Sequence, residues 1–263
     1  MQRHRARNTD TRASRYEREL IAAALPFWEA EAKIVRRFFK RKPSRDAHIT
    51  WLRAQLWKEL HPVDGYLSGL HRELSNLAEQ FPRVDVDVDR HHYRFLLEQM
   101  VQEFNHYVVQ ADILESLLER KISPRDTVQL PEEKKLEEIR RRYTSSGSPI
   151  DRAAVLVTEG GGARMFREGR KVRGGRLETM IAKAMELIYR DEKSHYREAA
   201  REAAGMIRTA EDLARMKKAI REISLQRVHM RSEMFGYPLP PTELETLSLE
   251  TPGLPLTTAA SLH

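Results

Sequence analysis

Two Glu-x-x-His pairs are the residues in this sequence whose types and spacing are best suited to chemistry. Glu103 and His106 form one pair, and Glu192 and His195 form the other. Residues three apart lie on the same face of an α-helix, so each pair presents a carboxylate and an imidazole side by side. Together these two donor types favour iron or manganese over thiophilic metals. The pattern therefore predicts two helices that bind metal ions.

Both pairs interrupt apolar stripes at helical spacing. One stripe consists of Leu96, Gln99, Glu103, His106, Gln110, Ile113 and Leu117, and the other of Ile181, Met185, Ile188, Glu192, His195 and Ala199. A carboxylate on a buried face is costly unless a hydrogen bond, an ion pair or a cation compensates its charge. A pair of metal ions would remove this cost for several carboxylates at once.

Glu159 is the predicted ligand from a further helix. It follows the apolar run of residues 153–158 and lies 33 residues before Glu192. A helix that descends to a turn at residues 169–175 and returns to Glu192 would bring both carboxylates to a similar height, given a rise of about 1.5 Å per residue.

The same hairpin argument, applied to a turn at residues 82–90, predicts the fourth carboxylate. Glu73 lies thirty residues before Glu103 and is the predicted ligand. Glu31 is the alternative, because it lies within the apolar stripe Leu20, Ala24, Phe27, Glu31, Ile34 and Phe38. Spacing favours Glu73, whereas burial favours Glu31.

Helices account for nearly the whole chain, and no segment predicts a strand. Apolar residues recur at intervals of three and four, and no proline occurs between Pro149 and Pro238. The predicted helices cover residues 14–42, 44–81 with a kink at His61-Pro62, 90–121, 132–143, 150–170, 176–204 and 209–235. We expect an all-α fold.

Charge and proline content predict one domain with an extension at each end. Residues 1–15 carry five arginines against one aspartate and predict a flexible basic arm. Residues 16–236 form a single helical domain, and the five prolines within residues 237–263 predict an extended C-terminal arm. The net charge is +7, and the absence of cysteine excludes disulfides, thiolate metal sites and iron–sulfur clusters.

This order of residues resembles the ferritin-like diiron carboxylate superfamily, in which a Glu and a Glu-x-x-His are followed, after a crossover, by a second Glu and Glu-x-x-His. The resemblance covers about residues 65–200. It implies a ferritin-like four-helix bundle core, with additional N- and C-terminal helices here. It also implies that Asp191 orients a ligand histidine from outside the metal coordination shell. Tyr107 and Tyr196, which follow the two histidines, are further candidates for this surrounding layer.

The resemblance implies two bound iron ions, with a manganese–iron pair as the alternative. The leading hypothesis is an enzyme, a non-haem oxygenase or oxidase that uses O2 to hydroxylate, desaturate or otherwise oxidise a small organic substrate. Alternatives are a ferroxidase or peroxide scavenger, a tRNA-modifying diiron hydroxylase, and a metal-free helical scaffold that binds an acidic partner. For the last two, the arginines of residues 1–15 and the basic run from Lys33 to Arg45 would supply the contacts.

The remaining expectations concern the space beside Glu159, the location of the protein in the cell and its binding partners. Gly160, Gly161 and Gly162 beside Glu159 predict a cavity near the metals, close packing against another helix, or a break in the helix over residues 150–170. No stretch reaches the roughly 18 apolar residues of a membrane span, and no signal-peptide pattern is present, so we expect a cytoplasmic protein without membrane contact. An electron-donor protein and a homo-oligomer are compatible with the sequence, whereas nucleic acid is not favoured.

Overall fold

The computed structural model describes residues 2–61 and 70–249, and the side chains of all of these except residues 2–11 and 71. Eleven α-helices and no strand occur within these ranges, which confirms the all-α prediction. The helices are α1 (Gln2–Lys40), α2 (Arg45–Leu60), α3 (Leu70–Gln80), α4 (Arg90–Leu118), α5 (Pro131–Thr144), α6 (Pro149–Val157), α7 (Gly160–Gly169), α8 (Arg176–Glu192), α9 (His195–Met206), α10 (Ala210–Met234) and α11 (Pro241–Leu249).

Polar side chains cap the N-termini of three helices at the candidate site, α2, α4 and α6. Ser44 accepts a hydrogen bond from the backbone N–H of Ala47 at the start of α2, and Asp89 does the same for His92 in α4. Ser148 caps α6, where Pro149 occupies the first helical position. These side chains satisfy backbone donors that have no partner within the helix, so the sequence fixes where each helix begins.

Two predicted helices are interrupted at a candidate ligand. The predicted helix 150–170 consists of α6 and α7, which meet at Thr158 and Glu159, and the predicted helix 176–204 breaks between Glu192 and His195. At the first break, the Thr158 hydroxyl donates a hydrogen bond to the Val155 carbonyl, and three glycines of low helix propensity follow Glu159. The Thr158 hydrogen bond and the three glycines therefore disfavour a continuous helix at this point.

The ends of the chain and the segment after α2 also differ from the prediction. Residues 2–15 belong to α1 rather than to a flexible arm, and α11 lies within the predicted extended arm. The remainder of that arm, residues 250–263, lies outside the described part of the chain. Within the predicted helix over residues 44–81, α2 ends at Leu60, next to the kink predicted at His61-Pro62, and α3 covers Leu70–Gln80, while residues 62–69 lie outside the described part of the chain.

The packing of the helices places the two Glu-x-x-His pairs in direct apposition. Helix α4 packs on α2 on one side and on α8 on the other, while α7 packs on α8, and α6 packs on α9. Helix α1 covers α7, α9 and α10. The largest apolar cluster includes buried side chains from α1, α2, α4, α8 and α10, such as Phe27, Trp51, Ile113, Ile188 and Ile223.

Glycines at the start of α7 permit close packing on α1. A Cβ atom at Gly160 would lie 2.5 Å from the Trp28 ring, and one at Gly161 would lie 1.8 Å from Oε1 of Glu31. A larger residue at either position therefore requires the Trp28 ring or the Glu31 side chain to move. Gly162 instead lines a cavity. The glycine run thus permits close packing at two residues and borders a cavity at the third.

Ion pairs connect α11 to the basic run of α1. Lys33 and Arg37 lie 2.5 Å and 2.8 Å from the two carboxylate oxygens of Glu243. Part of the basic run is therefore paired within the chain. None of the described helices is long and apolar enough to cross a membrane.

Replacing Gly161 by alanine tests the close packing of α7 on α1. We expect Gly161→Ala to lower the free energy of unfolding by about 1–3 kcal/mol, because the new Cβ overlaps a buried carboxylate that two arginines hold in place. Gly205→Ala is the matched control, since nothing lies within 4 Å of its Cβ position. It should raise stability by up to about 1 kcal/mol. Urea denaturation followed by circular dichroism measures both, and equal effects would contradict the packing.

Candidate metal centre

Two groups of three side chains converge between the helices. Glu59, Glu103 and His106 form the first group, and Glu159, Glu192 and His195 form the second. Within each group, one potential ligand atom per residue lies within 4.8 Å of the others. The first group joins α2 to α4, and the second joins the α6–α7 break to the α8–α9 break.

His106 connects the two groups. Its Nδ1 atom lies 3.6 Å from Oε2 of Glu103 and 4.0 Å from Oε2 of Glu59. The same atom lies 4.0 Å from Oε1 of Glu192, which belongs to the second group. The two groups are therefore neighbours, and His106 Nδ1 faces carboxylates from both.

The other nitrogen of His106 is held by Asp191. Nε2 lies 3.0 Å from Oδ2 of Asp191, which comes from α8. A carboxylate on one imidazole nitrogen fixes the ring orientation and the tautomer, so that the opposite nitrogen is presented as a ligand. Asp191 thus occupies the position that the resemblance implied for it.

Negative charge dominates the centre and shifts its pKa values. Burial, together with the charges of Glu192 and Glu59, raises the pKa of Glu103 to about 7, against a lowering by His106. Burial lowers the pKa of His106, but its hydrogen bond with Glu103 and the surrounding carboxylates outweigh this effect and raise that pKa to about 10. A hydrogen bond with Glu192 likewise raises the pKa of His195. The site therefore favours bound positive charge.

Two glutamine amides hold Glu59 in place. Its Oε1 atom accepts hydrogen bonds from Nε2 of Gln55 at 2.7 Å and from Nε2 of Gln110 at 2.8 Å. The Gln55 carbonyl oxygen in turn accepts a hydrogen bond from Arg231. With Oε1 occupied in this way, Oε2 is the oxygen directed towards His106.

The structure places five of the six predicted ligands in the two groups, and Glu59 stands where Glu73 was predicted. Glu73 is also buried, at 8% exposure, but it lies on α3, where Asn76 donates a hydrogen bond to its carboxylate at 3.3 Å. The hairpin spacing selected a residue of α3, whereas the glutamate that joins Glu103 and His106 lies on α2. Glu59 lies 44 residues before Glu103 rather than thirty.

Glu31, the alternative fourth ligand, belongs to an ion-pair network instead. It is fully buried, and its two oxygens lie 3.1 Å from Nε of Arg227 and 3.2 Å from Nε of Arg231. These arginines compensate the charge of the buried carboxylate, for which a metal ion was the alternative prediction. Neither candidate metal group contains Glu31.

The two tyrosines that follow the histidines lie outside the centre. The Tyr196 ring packs edge-on against Trp28, with ring centroids 5.0 Å apart, and its hydroxyl accepts a hydrogen bond from Arg197. Tyr107 stacks on Phe104 at 5.8 Å. Both rings contribute to packing and neither lines the cavity, and their role in the layer around the ligands stays a prediction.

A cavity of about 420 Å³ contains both groups in its wall. Four basic side chains complete part of this wall: Lys58, Arg140, Arg227 and Arg231. Burial lowers the pKa of Lys58 to about 8. Neither the basic side chains nor Glu59 was predicted from the sequence. For Glu59 a signal was present, because Gln55 and Glu59 follow Trp51 and Leu52 at helical spacing on the buried face of α2.

The donor chemistry fits a pair of hard or borderline metal ions. Each group offers two carboxylates and one imidazole, a set typical of iron and manganese sites. Both groups lie in a cavity rather than on a solvated surface, and their carboxylates repel one another without a cation. The residues present are thus suited to binding two ions side by side.

No protein-family model and no curated protein matches the chain. Among solved structures, the chain is similar to a TenA homolog from Pseudomonas syringae pv. tomato, with a TM-score of 0.53 and 13% sequence identity. The similarity covers 89% of this chain and 93% of the other. At this identity it shows an all-helical fold in common and nothing about activity.

Substituting Glu59 and Glu73 separately tests the identity of the fourth carboxylate. We expect Glu59→Ala to lose at least one of two bound metal ions, because it removes a carboxylate from the first group. Glu73→Ala, at a position of similar burial, should retain both. Metal content per chain after reconstitution with Fe(II) and desalting is the measurement. Loss of metal in Glu73→Ala alone would contradict the assignment.

Asp191→Asn tests whether the contact with His106 supports metal binding. We expect metal affinity to fall by about 10–100-fold, because the amide cannot hold the imidazole in the same charge state and tautomer. Asp112→Asn, an exposed position on α4, is the control. Competition with a metal-binding dye reports both affinities, and an unchanged affinity in Asp191→Asn would show that the contact is dispensable.

Proposed function

We propose that the protein is a non-haem diiron oxidoreductase that uses O2 to oxidise a small organic substrate. The observation that supports this most directly is the meeting of two carboxylate–histidine groups at His106, within one cavity. Two adjacent ions and a shared cavity suit redox chemistry on a bound molecule better than either group would alone.

Six residues would hold the two iron ions: Glu59, Glu103, His106, Glu159, Glu192 and His195. When bound, the ions supply electrons and coordination positions for O2. The chain itself orients the ligands, since Asp191 fixes the His106 ring and the two glutamines fix Glu59. A ferritin-like four-helix core would then consist of α2, α4, α6–α7 and α8–α9. The proposed enzyme acts in the cytoplasm.

The cavity supports oxidation of an organic substrate over iron storage. It is enclosed on several sides by α2, α4, α5, α7, α9 and α10, and it offers room for a ligand beside the proposed ions. Pockets of about 300–1,000 Å³ are typical of small-molecule sites. The ion pairs of Lys33 and Arg37 with Glu243 weigh against the tRNA alternative, because these cations are already engaged.

Reconstitution with Fe(II) under anaerobic conditions, followed by exposure to O2, tests the proposal. We expect two iron ions per chain and O2 uptake that depends on them. Glu103→Ala and His195→Ala should lose metal and O2 uptake while the far-ultraviolet dichroism of the helices survives. Glu98→Ala, an exposed position on α4, is the control.

Three outcomes would contradict the proposal. Absence of both iron and manganese after reconstitution favours a metal-free scaffold. Accumulation of many irons per chain favours storage. Retention of two metals in both Glu103→Ala and His195→Ala would show that the ions bind elsewhere.

A further inference from the structure

Positive charge is concentrated on one wall of the cavity. Lys58 comes from α2, Arg140 from α5, and Arg227 and Arg231 from α10. Both α2 and α5 pack on α10, so these side chains converge from neighbouring helices. The side chains of Lys58, Arg227 and Arg231 are only 13%, 4% and 2% exposed. Burying several cations beside one cavity is costly unless anions meet them.

The carboxylates of the chain accept only some of the hydrogen bonds that the basic side chains of this wall can donate. Glu31 pairs with Arg227 and Arg231, and Glu133 pairs with Lys58 at 3.2 Å. An ammonium group has three N–H donors, whereas one carboxylate has two oxygens. Within residues 2–61 and 70–249, Glu133 is the only hydrogen-bond acceptor in contact with the Lys58 ammonium. At least one N–H of Lys58 therefore remains for a ligand.

The remainder of the wall favours a polar molecule that enters from the opposite side. Its apolar residues are Phe95, Leu156, Phe166 and Ala199, and most of the others are charged or amide side chains. Phe95 and Glu198 are exposed, whereas Lys58 and the three arginines are covered. The cavity thus opens near an acidic, exposed edge and ends at buried cations.

We propose that the substrate of the candidate diiron centre is a small polar molecule with a single carboxylate, which Lys58 binds at the buried end of the cavity. This inference rests on the proposed function. Lys58 immediately precedes Glu59, so a carboxylate held there lies beside the first ligand group, and the rest of the molecule extends along the proposed ions. A monoanion suits the one ammonium that has donor capacity to spare, whereas a dianionic phosphate would bring a second charge close to four glutamates.

Sodium butyrate is a suitable probe, with 1-butanol as the neutral counterpart and butyl phosphate as the dianion. Protein loaded with Mn(II) under anaerobic conditions should enhance the relaxation of butyrate protons, because the paramagnetic ions would lie in the same cavity. We expect butyrate to bind at least about tenfold more tightly than 1-butanol, since a hydrogen bond to a charged group adds at least this much. Butyrate should also bind more tightly than butyl phosphate.

Lys58→Met should weaken butyrate binding by about tenfold or more while manganese content remains at the wild-type level. Glu133→Gln should strengthen binding, because it releases the Lys58 ammonium from its partner. Lys58→Met combined with Glu133→Gln removes both charges of the Lys58–Glu133 pair and serves if Lys58→Met alone fails to fold. Lys218→Met, an exposed lysine outside the cavity wall, controls for the loss of one positive charge.

Equal butyrate binding by wild type and the double variant would overturn the inference, as would equal binding of 1-butanol. Tighter binding of butyl phosphate would overturn the monoanion assignment. None of these results affects the diiron proposal, which is tested by iron content and O2 uptake. If the protein binds neither manganese nor iron, the diiron proposal fails, and the role of the carboxylate as substrate fails with it. Calorimetry on metal-free protein then shows separately whether Lys58 binds butyrate.

Discussion

Mutual repulsion among buried and half-buried carboxylates of one cavity is the constraint on which the rest of this structure depends. Glu59, Glu103, Glu159 and Glu192 approach one another between packed helices, where charge is poorly solvated. The chain compensates by raising the pKa of His106 to about 10, so that one imidazolium lies among the carboxylates. This imidazolium and the basic side chains of the cavity wall compensate part of the negative charge, whereas two divalent cations bound between the groups would balance all four carboxylates.

The helices around the centre hold it through a continuous polar network. Arg231 contacts Glu31 on α1 and Gln55 on α2, and Gln55 contacts Glu59. This path links the covering helix α1 to a candidate ligand, and the glycines of α7 allow α1 to approach closely enough. The network explains why Glu31 is fully buried without contributing to a metal group. Stability and ligand geometry therefore depend on the same residues.

The sequence was sufficient to predict the all-helical fold and five of the six residues in the two groups. Helical periodicity and the two Glu-x-x-His pairs are local features, so they can be recognised without knowing how distant segments pack. The sixth residue, Glu59, lies on α2, and the packing of α2 against α4 is a long-range property of the fold. A rule based on equal hairpins selected Glu73 on α3, thirty residues before Glu103, rather than Glu59 on α2. The arginine partners of Glu31 lie about 200 residues away, so no local pattern could reveal them.

The most direct test is a crystal structure of iron-loaded protein with anomalous diffraction measured at the iron edge. Two adjacent peaks are expected, one contacting Glu59, Glu103 and His106 and the other contacting Glu159, Glu192 and His195. Asp191 should remain on the far nitrogen of His106. Peaks beside Glu73 or Glu31, or no peak between α4 and α8 in crystals that contain iron, would contradict a dimetal centre at this position.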